Sequence, residues 1–196
     1  MKYENNIRDL NKLDIDFIGF IFYDKSVRYI GDNPVKSDYR DIKKVGVFVN
    51  SSEELIANKI NEFGLDFIQL HGEETQEFCL ETKKYDVKII KAFRIDDNFD
   101  FNKCKRYIDV VDLFLFDAKG EQPGGNGVSF NWAKLAEYHL EIPFLLSGGI
   151  AIKHSAKLKN YYHPQFLGID VNSGFEISPG IKNIELLKRF INEIRS

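Results

Sequence analysis

Residues 113–132 read LFLFDAKGEQPGGNGVSFNW. A short apolar run ends on one acid, Asp117, and a glycine-rich loop follows before a segment suited to starting a helix. Two readings fit this stretch alone: a strand with a capping Asp and a flexible turn, or the carboxyl end of a buried parallel strand that delivers a carboxylate into a site. The rest of the chain bears on the choice. DFIGFIFY (16–23), KVGVFVN (44–50), DFIQLHG (66–72), VKIIKAFRI (87–95), IPFLLSGGI (142–150) and QFLGIDVNSG (165–174) carry similar apolar runs. Such runs mark strands buried on both faces, as in a parallel sheet.

Helical patterns lie between them. Ile7, Leu10 and Leu13 share a face over residues 4–13. Ser51 reads as an N-cap with Glu54 as its capping-box partner, ahead of Ile56, Ile60 and Phe63, and Gly64 closes that helix. Further helices are expected over about 73–84, within 96–110, over 131–140 and over 151–159. A last one puts Ile184, Leu187, Ile191 and Ile194 on one face. The alternation predicts an α/β fold, one domain over residues 1–196, with strands roughly 20 to 25 residues apart. That period suits a TIM-type (β/α)8 barrel better than an open dinucleotide-binding sheet, and no GxGxxG occurs. A barrel needs eight strands; seven are visible, the chain opens on a helix, and the first strand is missing.

Composition narrows the function classes. Of 196 residues, 43% are hydrophobic and 29% charged, which suits a soluble globular protein, and the 17 Phe allow a sizeable core. A net charge of −3 with scattered basic residues gives no reason to expect a nucleic-acid or membrane surface. Cys79 and Cys104 fall in polar, helix-like stretches and suggest no disulfide framework, and no zinc-type spacing occurs. The N-terminus has no apolar signal core and no run approaches membrane-spanning length, so a cytoplasmic location is expected.

Polar residues gather at the carboxyl ends of the strands, where a barrel places its site. In order these are Lys25, Ser26 and Arg28; His71 and Gly72; Lys91 and Arg94; Asp117; Ser147, Gly148 and Gly149; then Asp170, Asn172, Ser173 and Gly174. The glycine-bearing loops on the last two strands suit a phosphate, whose oxygens need backbone N–H groups at close range. Arg28 can meet a carboxylate through its fork. His71 reads equally as site lining or as a satisfied histidine. Lys91 is a structural lysine before it is a Schiff-base one, Lys182 belongs to a solvated face, and Trp132, Tyr161 and Tyr162 are packing residues.

Taken together, the stretches resemble the phosphoribosylanthranilate isomerase family. The resemblance rests on DFIGFIFYDKSVRYI (16–30), KVGVFVN, QLHG (69–72), KAFRI (91–95), FDAKGEQPGGNGVSFNW (116–132), LSGGI (146–150) and GIDVNSGFEISPGIKN (168–183). They occur in the family's order and span essentially the whole chain. The resemblance implies an Amadori rearrangement of a small-molecule substrate, phosphoribosylanthranilate, in tryptophan biosynthesis, with no metal or organic cofactor. It implies that Asp117 is the general acid that protonates the furanose ring oxygen. Arg28 would partner the anthranilate carboxylate, Asp170 would lie near the sugar hydroxyls, and His71 would line the pocket. Gly148, Gly149, Asn172, Ser173 and Gly174 would hold the phosphate. The family's first strand, K-[IV]-C-G-M, with its general-base cysteine, has no counterpart here, and neither Cys79 nor Cys104 substitutes for it. The expected consequences are impaired turnover and exposed sheet edges prone to association. The competing readings are a non-catalytic sugar-phosphate-binding barrel, a metal-dependent pentose-phosphate epimerase, and an indoleglycerol-phosphate synthase using a Lys and Glu pair.

Overall fold

The computed structural model describes residues 1–31, 39, 41–118 and 132–196. The GGNG turn and Phe130 therefore lie outside the described residues. Seven parallel strands form one sheet in sequence order: β1 (Phe17–Ile21), β2 (Lys43–Phe48), β3 (Phe67–Leu70), β4 (Lys88–Ile95), β5 (Leu113–Ala118), β6 (Phe144–Ser147) and β7 (Phe166–Ile169). The crossovers carry α1 (Glu4–Leu10, ahead of β1), α2 (Glu53–Phe63), α3 (Gln76–Thr82) and α4 (Ser155–Lys159), and α5 (Ile184–Arg195) ends the chain. A small antiparallel hairpin, β8 (Glu176–Ser178) with β9 (Ile181–Lys182), follows β7 and was not anticipated. The expected α/β alternation and the seven strands are present. No helix of the described residues is long and apolar enough to cross a membrane.

Side chains alternate across the strands, so β1 to β6 feed two cores. Val45, Phe67, Ile90, Ala92, Leu113, Leu115 and Leu145 pack together inside the curve of the sheet, with Phe17 against them. Phe20, Phe48, Ile68, Ile89, Phe114, Phe116, Phe144 and Leu146 join the outer cluster with the helices. Aromatic rings dominate the outer layer around Tyr138, which stacks edge-on to Phe101, Phe114, Phe116 and Phe144. The 17 phenylalanines are thus mostly sheet-to-helix packing.

The sheet runs from β1 to β7 and does not close: the two outermost strands are not paired with each other. The seam between them is bridged by other means. Leu187 and Phe190 of α5 are buried across it, 4% and 1% exposed. Asn6 of α1 exchanges two hydrogen bonds with the Lys182 backbone, at 2.9 and 2.7 Å. At the amino ends of the strands Arg195 pairs with Asp14 and Asp16.

Several local expectations shift. The N-cap of α2 is Ser52, accepting from Leu55 N at 3.3 Å, one residue later than Ser51, and Gly64 closes the helix in the left-handed region at φ +57°. The segments expected as helices at 96–110 and 131–140 are 3-10 turns at Phe101–Tyr107 and Trp132–Glu137. Lys182 is not solvated: it is buried, 7% exposed, because its ammonium turns inward to a carboxylate. Tyr162 is exposed, and only Trp132 and, in part, Tyr161 pack. Cys79 and Cys104 are both fully buried and unpaired with each other, despite their polar sequence neighbours.

Candidate active site

The register that builds the inner core also aims the site. Leu113 and Leu115 point inward, so Asp117, two residues further, points inward at the carboxyl end of β5. By the same parity Phe67 is followed by Gln69 and His71, Leu145 by Ser147, and Gly168 by Asp170. All of Gln69, His71, Asp117, Ser147 and Asp170 line one cavity of 670 Å³. Its other wall includes Arg28 from the loop after β1, Gly148 and Gly149 after β6, and Asn172, Ser173 and Gly174 after β7. Arg28, His71, Asp117, Gly148, Gly149, Asp170, Asn172, Ser173 and Gly174 therefore face the same space, whereas Lys25, Gly72, Lys91 and Arg94 do not line it.

Asp117 is half-buried, its side chain 28% exposed, so water reaches the carboxylate and full desolvation is not achieved. His71 Nε2 lies 3.4 Å from Asp117 Oδ2, and Gln69 Nε2 lies 2.8 Å from His71 Nδ1. An amide nitrogen only donates, so Nδ1 accepts and the imidazole proton sits on Nε2, facing Asp117. Asp170 accepts from Ser147 Oγ at 3.0 Å. Burial pushes the Asp170 carboxyl above the usual range, and the Ser147 bond, His71 and Lys182 only partly oppose it.

The glycines divide their tasks. A Cβ on Gly148 would lie 2.4 Å from the Ala118 backbone nitrogen, and one on Gly174 would lie 2.2 Å from the Ile150 carbonyl oxygen. These two residues let adjacent loops touch. Gly149, at φ +62°, has nothing within 4 Å of such an atom and faces open space. That is the surface where backbone can approach an anion.

Arg28 is not solitary. Its Nε meets Glu176 Oε1 and Oε2 at 3.0 and 2.8 Å, and its Nη2 meets Oε2 at 2.6 Å. Glu176 also accepts from Gly180 N and Lys182 Nζ, both at 3.1 Å, while Lys182 Nζ donates to Asn172 Oδ1 at 2.6 Å. Burial works against the Glu176 carboxylate, but Arg28 and Lys182 outweigh it and hold its pKa below the usual value. Sequence reading missed Glu176, Gln69 and Lys182. Period-two alternation could have found Gln69, whereas the Glu176 partnership spans 148 residues and leaves no local signal.

Lys91 is structural. It points to the outer face and is 3% exposed, bonding Glu74 at 2.9 Å and the carbonyls of Leu70 and Gly72 at 3.2 and 2.7 Å. Glu74 in turn accepts from the backbone of Asn50 and Gly72. The pair pins the turn that carries His71. Neither thiol lines the cavity, and burial pushes Cys79 to about 11 and Cys104 to about 12. Among the described residues no three of His, Cys, Asp and Glu gather as a metal-holding group.

The chain matches, over residues 2–193, the family model described as N-(5'-phosphoribosyl)anthranilate (PRA) isomerase. A relative from Parabacteroides distasonis named N-(5'-phosphoribosyl)anthranilate isomerase is 45% identical, over 99% of this chain and 90% of its own length. A crystal structure of phosphoribosyl anthranilate isomerase from Thermotoga maritima superposes with a TM-score of 0.81 at 27% identity, covering 100% of this chain and 95% of that one. Another, of the isomerase in complex with reduced 1-(o-carboxyphenylamino)-1-deoxyribulose 5-phosphate, gives 0.79 at 25% identity, with coverages of 100% and 95%.

Proposed function

The chain belongs to the N-(5'-phosphoribosyl)anthranilate isomerase family, isomerases of tryptophan biosynthesis, and from that premise we propose which of its residues act on the phosphoribosylanthranilate substrate. The observation that carries the proposal is Asp117 projecting into the cavity that the two glycine loops also line, with the Nε2–H of His71 beside it.

Asp117, protonated, gives its proton to the furanose ring oxygen. The C1–O bond breaks, the anthranilate nitrogen supplies its electron pair, and an open-chain iminium forms. Loss of the C2 proton to a base gives the enolamine, which tautomerises to the 1-deoxyribulose product. Only protons move, so the rearrangement is internally balanced. His71 orients the Asp117 carboxylate and stabilises it once the proton has left. Gly149 N–H, with Ser173 and Gly174, receives the phosphate, and Asp170 receives a sugar hydroxyl. Residues 1–196 act as one domain in the cytoplasm.

The base that takes the C2 proton is, in the family, a cysteine within K-[IV]-C-G-M, a motif this sequence lacks. The buried positions of Cys79 and Cys104 favour, as a second reading, a barrel that binds the sugar phosphate with little turnover. One assay separates the two. Isomerisation is followed for these 196 residues, for the same chain with a K-x-C-G-M strand fused ahead of Met1, and for Asp117→Asn in each. The isomerase reading expects the fusion to turn over and Asp117→Asn to lower the rate by about 10²- to 10⁴-fold. A fusion that binds substrate without converting it would leave only the binding reading.

A further inference from the structure

We propose that Glu176 is a positioning residue that pre-sets Arg28 as the receptor for the substrate's aryl carboxylate. The inference rests on the isomerase reading of the cavity and adds a residue to it.

A guanidinium has two usable forks: Nε with Nη2 along its side, and Nη1 with Nη2 at its end. Glu176 occupies the side fork through all three short contacts. Nη1 lies outside that engagement, on a side chain that lines the cavity and remains 25% exposed. The end fork matches a planar carboxylate bidentately. Glu176 thus fixes the plane of the guanidinium while leaving the face suited to a second carboxylate.

Glu176 is itself held from three directions. Its side chain is 4% exposed, and Gly180 N and Lys182 Nζ converge on Oε1, opposite Arg28. Lys182 is anchored by the Asn172 side chain and by the backbone clamp from Asn6. A long, flexible arginine is thereby ordered before substrate arrives, so binding does not have to supply that ordering. The two cations flanking one buried anion also leave an incoming carboxylate a cationic receptor rather than a neutralised one.

The test uses the 196-residue chain and two ligands: reduced 1-(o-carboxyphenylamino)-1-deoxyribulose 5-phosphate and its phenylamino counterpart without the carboxylate. Dissociation constants are measured by calorimetry. Wild type is expected to prefer the carboxylated ligand. Glu176→Gln keeps shape, but its amide nitrogen must face donors whichever way it turns, either Arg28 or Gly180 and Lys182. It should weaken the carboxylated ligand by about tenfold or more and the other by less than about twofold. In an Arg28→Ala background it should not change the ratio further. Glu176→Asp keeps the charge beside Lys182 but withdraws it from Arg28; it should move the ratio the same way, and serves if the Gln variant does not fold. An unchanged ratio in both variants overturns the proposal. So does an equal loss for both ligands, which would mark Glu176 as merely structural. A wild type with no preference for the carboxylate would instead remove the premise about Arg28.

Discussion

Ionising Asp170 carries a cost. Burial raises its pKa, so the folded protein holds the proton more tightly than the unfolded chain does. Stability therefore falls as pH rises from the unfolded carboxylate value, about 3.9, through the folded one, and the whole penalty is present above it. Asp170→Asn, which can still accept from Ser147, should raise Tm at neutral pH, lose that advantage below about pH 4, and weaken substrate binding. Melting curves across that range check it, and a lower Tm for the variant at neutral pH would count against the argument. The two thiols make a second case. With Cys79 pushed to about 11 and Cys104 to about 12, a thiol reagent at about pH 8 should label neither until denaturant is added. Their depth was hidden because polar neighbours on a short amphipathic turn say nothing of which face the sulfur takes. Asp117 was legible for the opposite reason: Leu113 and Leu115 set a parity that it continues.

Elements were easier to read than their ends. Seven apolar runs became seven strands because a strand buried on both faces leaves little room for polar residues. The 3-10 turns at Phe101–Tyr107 and Trp132–Glu137 escaped because apolar spacing alone does not separate one hydrogen-bonding pattern from another. The hairpin of β8 and β9 escaped because its strands have three and two residues. At α2 the cap prediction slipped by one of two adjacent serines, and substitution decides between them. Ser52→Ala should cost about 1 kcal/mol in denaturant unfolding, and Ser51→Ala much less. The loops after β6 and β7 make a functional counterpart. Gly149→Ala meets no crowding and costs only the strain of a Cβ at φ +62°, about 1–2 kcal/mol, but its methyl group enters the anion's space and should raise KM several-fold. Gly174→Ala should instead lower Tm, because its Cβ collides with the Ile150 carbonyl. Paired melting and kinetic measurements separate the two loops, and a Tm loss for Gly149→Ala larger than for Gly174→Ala would refute the division.

At the scale of the molecule the sequence announced an incomplete circle, and the sheet indeed runs from β1 to β7 without closing. How the seam is bridged was not foreseeable, since its ties join residues from opposite ends of the chain: Asn6 with Lys182, Arg28 with Glu176, Arg195 with Asp14. Unpaired edges and an apolar cavity beneath the site should show as concentration-dependent association in sedimentation and as binding of a hydrophobic dye to the native state. A monomer at every concentration that ignores the dye would show the bridges to be sufficient. One of these ties also dates the site. Neighbouring strands follow one another in sequence, so the sheet can add each strand as synthesis proceeds. The arginine receptor cannot, because Glu176 is made 148 residues after Arg28. Asp117 precedes Glu176 by 59 residues, so at about 5–20 residues per second a nascent chain spends roughly 3 to 12 s owning its acid but not its grip on the aryl carboxylate. In the molecule's own assembly, recognition arrives last.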